Sequence, residues 1–142
     1  MGIPAEVANL FSSYPKVAQD KLYAIRELIF AVAKEQNLGK ISESLKWGEA
    51  SYTCAKGSPI RIDWKAKQAQ SISIYVNCKT SLIETISARI RLASTTGERL
   101  HLIGSREIRF PLNETLPQEE IKFCLSLALR YHRIKHLPSL GA

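Results

Sequence analysis

Eight residues, Leu45-Lys46-Trp47-Gly48-Glu49-Ala50-Ser51-Tyr52, separate two parts of the chain whose apolar residues recur with different periods. Ahead of them, Ala18, Leu22, Ile25, Ile29 and Val32 follow one another at helical spacing and form one apolar stripe. Behind them the chain alternates. Tyr52 and Cys54 interleave with Ser51 and Thr53; Ile60, Ile62 and Trp64 with Arg61, Asp63 and Lys65; Ile72, Ile74 and Val76 with Ser71, Ser73 and Tyr75. That period is the one of half-buried strands. A change of this kind fits helices laid over one face of a sheet.

The remaining elements follow from the same two periods. Residues Pro4 to Phe11 can make a short helix, and Pro15 suits the first turn of the long one, which should end near Asn37-Leu38-Gly39. Leu28 and Phe30 lie off its stripe, so this helix is expected to be covered on more than one side. Ser42 to Lys46 reads as one more helical turn, stopped by Gly48. The short polar connections Lys56-Gly57-Ser58-Pro59 and Ala66 to Gln70 predict antiparallel neighbours. Ser81 and Glu84 have the spacing of a capping box ahead of Leu82, Ile83, Ile86 and Ile90, a helix running to about Leu92. Ser94-Thr95-Thr96-Gly97 breaks it, and Leu100 to Ile103 and Ile108 to Leu112 read as strands around Gly104-Ser105.

Pro117 can open a last helix reaching about His136. One of its faces carries Ile121, Cys124, Leu125 and Ala128; a second carries Phe123, Leu127, Tyr131 and Ile134. A helix apolar on two sides is either central or covered by a second subunit, which permits a homodimer through this C-terminal helix. The order predicts a two-layer α+β fold, α-β(3)-α-β(2)-α, with an antiparallel sheet and helices on one face, in a single domain over 1–142.

The chain has 142 residues, 45% hydrophobic and 23% charged, enough to bury a core without disulfides or metals. No apolar run approaches the roughly 20 residues that span a bilayer, so no membrane partner is expected. No secretory signal is evident at the N-terminus, and a cytoplasmic location is the expectation. Cys54, Cys78 and Cys124 form neither a CxxC pair nor a disulfide framework and read as small core residues. The net charge of +7 raises the question of a nucleic-acid partner. Its densest run, Arg130 to His136, falls at the end of the predicted last helix, where cations complement the helix dipole, and that reading is favoured over phosphate binding.

Lys46-Trp47-Gly48-Glu49-Ala50-Ser51-Tyr52 resembles the K-W-G-x-P-S-Y signature of the YdhG-like bacterial family, a domain of unknown function. Ile108-Arg109-Phe110-Pro111-Leu112, Leu116-Pro117 and the stretch Tyr131 to Pro138 are similar to that family's closing motifs. The resemblance implies the same two-layer order. It also implies an iron chaperone role of the frataxin-like kind, since some members are so described. Ala50 stands where the family usually has proline. The residues do not support iron binding: Glu6, Asp20, Glu27 and Glu35 are scattered over the N-terminal helices rather than clustered.

The candidate ligand site is the junction of the Trp47 loop with the sheet. Trp47 and Tyr52 either line a cleft there or anchor packing. Glu49 beside Trp47 could be desolvated, as catalytic acids are, but no paired acid, base or nucleophile accompanies it in sequence, so a solvated or salt-bridged Glu49 is the favoured reading. Strand alternation brings Arg61, Asp63, Tyr75, His101 and Arg109 to the face away from the helices, where Arg61, Tyr75 and Arg109 can meet an anion or a nucleic-acid strand; a solvated sheet face is the alternative. His132 and His136, spaced i, i+4, could share a metal ion, although Arg133 and Lys135 between them oppose one. No GxSxG, P-loop or GxGxxG motif occurs. The expected function is binding of a small ligand or anion, with an iron chaperone and an enzyme using Glu49 as the alternatives; no cofactor is implied by the residues.

Overall fold

A computed structural model describes residues 2–77, 80–92 and 100–141. The elements are α1 (Ala5–Ser12), α2 (Lys16–Glu35), β1 (Ser42–Lys46), β2 (Glu49–Thr53), β3 (Ile60–Trp64), β4 (Ser71–Tyr75), α3 (Leu82–Leu92), β5 (His101–Ile103), β6 (Glu107–Pro111), α4 (Gln118–Leu129) and the single turn α5 (Tyr131–Ile134). The strands form one sheet in the order β1-β2-β3-β4-β6-β5, and every neighbouring pair is antiparallel. This is an α+β fold with helices on one face of an antiparallel sheet. Among the described residues no helix is long and apolar enough to cross a membrane. Cys78 and the break at Ser94 to Gly97 lie outside the described residues.

The face beneath the helices is set by alternation. One row of residues, Leu45, Ala50, Ile62, Ile74, Ile108 and Leu102, crosses all six strands in register. Ile60, Ile72, Phe110 and Tyr52 fill in around it, and all four are buried. The expected stripe of α2 is buried against this face, and α4 packs along α2 from the other side. Both apolar faces of α4 contribute buried residues: Ile121, Cys124, Leu125, Leu127 and Ala128 are all buried, as is Ile134 beyond it. Phe123 and Tyr131 of the second face are half-buried, so that face is covered only in part within the chain.

Ser42 to Lys46 forms strand β1, not a last helical turn. Its partner β2 follows after only two residues, Trp47 and Gly48, with φ of 54° and 77°. Positive φ at both central positions is the turn whose twist matches a two-stranded hairpin. Gly48 adopts it freely, whereas a bulky side chain such as Trp47 does so at a cost of about 1–3 kcal/mol. Pairing with β2, the packing of half-buried Leu45 against the core and the hold of Arg26 on Glu43 outweigh that cost. The network holding this edge strand was not read from sequence. Arg26 of α2 grips Glu43 with Nε at 2.5 Å and a second guanidinium nitrogen at 2.8 Å, and the Tyr52 hydroxyl donates to the same carboxylate at 2.8 Å. The guanidinium also lies 4.9 Å from the centre of the Phe30 ring.

The last helix stops at Leu129 rather than His136 because another segment takes its terminal carbonyls. The Ser58 N–H donates to the Ala128 carbonyl at 2.8 Å and the Cys54 thiol to the Leu129 carbonyl at 3.2 Å, while the His132 N–H turns to the Lys56 carbonyl at 2.8 Å. Gly57 makes this approach possible, since a Cβ there would stand 2.8 Å from the Leu129 carbonyl oxygen. At the start of α3 the side-chain bond is from the Leu82 N–H to Thr80 Oγ1, one residue before the serine of the expected capping box.

Gly57→Ala should therefore destabilise the fold by about 1–3 kcal/mol, read as a lower urea midpoint at unchanged slope. Glu43→Ala leaves a buried guanidinium uncompensated and should cost about 3–5 kcal/mol. The apolar triple variant Arg26→Met, Glu43→Leu, Tyr52→Phe should recover most of that loss in the same measurement.

Candidate anion site on the open sheet face

The strand register sorts the expected site residues onto two faces. Ser51, Arg61, Tyr75 and Glu107 lie in one row across the open face, and Asp63, Ser73, Arg109 and His101 in the next. Arg61, Asp63, Tyr75, His101 and Arg109 therefore share a face, as alternation predicts. Tyr52 does not join them. It points under the helices, fully buried, with its hydroxyl on Glu43. Trp47 stands at the hairpin tip, 91% exposed, and neither lines a cleft with Tyr52 nor anchors packing. The ligand junction expected at the Trp47 loop is thus not formed, because the left-handed turn throws Trp47 outward and the pleat sends Tyr52 to the opposite side of Glu49.

Glu49 is salt-bridged, as the favoured reading has it, held between Arg61 Nε at 2.9 Å and Lys65 Nζ at 2.6 Å. Lys65 Nζ also reaches Asp63 at 3.1 Å and lies 5.4 Å from the centre of the Tyr75 ring. The Tyr14 hydroxyl, from the connection between α1 and α2, donates to the other oxygen of Asp63. Glu107 accepts from Ser73 Oγ at 2.7 Å and Arg109 Nε at 3.1 Å. Most of the charge on this face is consequently paired within the face. Burial raises the Asp63 carboxyl above its ordinary range, with the Tyr14 and Lys65 hydrogen bonds opposing the shift. For Lys65 burial is outweighed by its hydrogen bonds to Glu49 and Asp63, and its ammonium is held more firmly than usual. Tyr14 is pushed up by burial and by its bond to Asp63, and Tyr75 by burial and the Glu107 charge.

One end of the face departs from this pattern. Pro59, Arg61, Tyr75, Val76, Asn77 and Arg106 enclose a cleft of about 230 Å³. Arg61 Nε is buried and close to Glu49, but its N–H is not aligned for a hydrogen bond and has no such partner. Arg106 is exposed, and among the described residues it forms no ion pair. The Val76 N–H donates to the Arg106 carbonyl at 2.7 Å, which fixes the start of β6 beside the end of β4 and sets Arg106 at the rim. Arg109 is absent from the lining, being turned to Glu107. A larger and more open hollow of about 570 Å³ at the end of α2 is lined by Phe30, Ala33, Lys34, Asn37, Gly39, Lys40 and Ile41; its cations are lysines rather than guanidinium groups.

Comparison with protein-family models, curated proteins and solved structures returns no match.

His132 lies in α5, which ends at Ile134, and His136 falls in the turn beyond it, so the helical register that would align the two imidazoles is not kept. Among the described residues no group of three or more His, Cys, Asp or Glu side chains could hold a metal ion. Asp20 is paired with Lys16 and Glu35 with Lys122. Cys124 is buried, which pushes its thiol up to about 12, and Cys54 serves as a donor to α4. Arg106 was missed because it sits in a turn, outside any alternating run; the pairing of Tyr75 with Glu107 is what places it.

Tyr14, Tyr52 and Tyr75 all ionise above the ordinary value of 10, burial being the leading cause for each. Because the folded values are raised, the stability these groups contribute is complete below pH 10 and is lost as pH climbs toward the folded values. Three tyrosine equivalents should thus appear at 295 nm only together with loss of the far-ultraviolet circular dichroism; their ionisation in the folded protein near pH 10 would contradict the network.

Proposed function

We propose that the protein binds a small anion, of carboxylate or phosphate size, in the cleft between Arg61 and Arg106 with Tyr75 beside it. The observation that carries this reading is that two guanidinium groups, those of Arg61 and Arg106, line one small cleft, and that among the described residues Arg106 forms no ion pair. A guanidinium presents several N–H donors in a fixed fork suited to planar or tetrahedral oxyanions. The raised Tyr75 hydroxyl remains a neutral donor at physiological pH. Glu49 retains Lys65 when Arg61 turns to a ligand, so binding does not strand its carboxylate. The volume suits an ion or a very small metabolite rather than a drug-sized ligand.

Among the described residues no serine, threonine, cysteine or carboxylate lines the cleft, and Glu49 is engaged outside it, so binding is favoured over catalysis. The free thiols of Cys54 and Cys124 suit a reducing compartment, and the cytoplasm is the location we propose. Titration with inorganic phosphate, followed by calorimetry and by amide shifts of residues 74–77 and 106, is expected to show a single site. Arg106→Ala should weaken it about tenfold or more, the worth of one charge-assisted hydrogen bond. A flat titration, or equal affinity in Arg106→Ala, would refute the site.

A further inference from the structure

The basic run Arg130 to His136 has a different meaning once its place in the fold is known. It does not complement α4, whose last turn carries no basic residue and whose final carbonyls are taken by the Cys54 to Ser58 segment. Instead the chain leaves α4 and presents His132, Arg133, Lys135 and His136, all exposed, around the single turn α5. The His132 N–H bond to the Lys56 carbonyl, 2.8 Å, brings exposed Lys56 from the β2–β3 connection to the same surface.

Two features separate this surface from the sheet face. Residues 121–142 and 50–62 contain no Asp or Glu at all, so both segments that build it are free of local carboxylates. Among the described residues, Lys56, Arg133 and Lys135 enter no ion pair and no side-chain hydrogen bond, whereas Arg61, Lys65 and Arg109 on the sheet are each matched to a carboxylate. Arg130 adds a fourth cation, anchored by its Nε on Ser126 Oγ at 3.0 Å. Like charges gathered without counter-charges repel one another, and an external polyanion relieves that repulsion.

We propose that this surface, Lys56, Arg130, Arg133 and Lys135 with His132 and His136, binds the phosphate backbone of a nucleic-acid duplex without reading its sequence. A duplex offers the dense regular array of phosphates that a cluster of unpaired cations neutralises with release of counterions. Base reading is disfavoured: α5 has four residues, about 6 Å of helix, too short to occupy a major groove, and Tyr131 is half-buried in an edge-on contact with His132 at 5.3 Å. An anionic membrane would call for several apolar side chains alongside the cations, and Leu137 is the one large exposed apolar residue of this segment among those described. The charged sheet face, the place alternation suggested for a nucleic-acid strand, is largely self-neutralised.

The test is fluorescence anisotropy of a labelled DNA duplex of mixed sequence across a range of salt. Four cations on phosphates predict a slope of log affinity against log salt of about −4. Arg133→Glu with Lys135→Glu, two exposed positions whose folding is checked by circular dichroism, should lower affinity at least tenfold and reduce the slope by about two. Arg106→Ala should leave duplex binding unchanged, which separates this surface from the anion cleft. The proposal fails if no duplex binding occurs at low salt, if the double charge reversal binds as tightly as the native chain, or if phosphatidylserine vesicles are bound and the duplex is not.

Discussion

The buried pair of Arg26 and Glu43, with the Tyr52 hydroxyl on the same carboxylate, governs how the edge of the sheet is set. Side-chain exposures of 9% and 5% leave neither ion access to much water. Such a pair contributes little net stability compared with well-packed apolar groups, but it penalises every arrangement that separates it. A slip of β1 by one residue would send Glu43 to the open face and leave both a guanidinium and a tyrosine hydroxyl unsatisfied under α2. The pair thus acts as a register lock.

The consequences run across the sheet. With β1 fixed, the hairpin must turn at Trp47-Gly48, and Ala50 and Tyr52 must enter the core. Glu49 then faces the other way, within reach of Arg61 and Lys65. The geometry of the open face, including the misaligned Arg61 Nε–H at the cleft, follows from a contact on the opposite side of the sheet. The strained backbone of Trp47 is a further consequence, since no glycine or asparagine is available at the first turn position.

Charge is handled in two ways in this molecule. On the open sheet face carboxylates meet cations at hydrogen-bonding distance, Glu49 across the β2–β3 pair and Asp63 and Glu107 with the cation two residues along their own segment, which leaves the face nearly neutral. Around α5 and the β2–β3 connection, Lys56, Arg133 and Lys135 have no such neighbours among the described residues. The boundary between the two regimes lies at the β2–β3 connection. The same segment that ends α4 also carries Lys56 to the basic surface and Pro59 to the rim of the cleft.

Periodicity made much of the architecture legible. The α2 stripe, the alternation in β2 to β4, the helix from about Leu82 and the open-face position of Arg61, Tyr75 and Arg109 all depend on side-chain direction along a single element, which local sequence controls. What the sequence could not display was the fate of segments whose partners are distant. Ser42 to Lys46 has too few apolar residues to declare a period, and pairing with β2 made it a strand. The pattern of the last helix ran on through Tyr131 and Ile134, and the Ser58 N–H and the Cys54 thiol, taking its last carbonyls, ended it early. The cleft needed Arg106, a turn residue, brought beside Tyr75 by cross-strand pairing. Composition and period determined which side chains face the core and how basic the chain is; only tertiary structure decided that Arg26 meets Glu43 and that Glu49 meets Arg61 and Lys65, because those contacts depend on helix packing and on the pairing of one strand with the next.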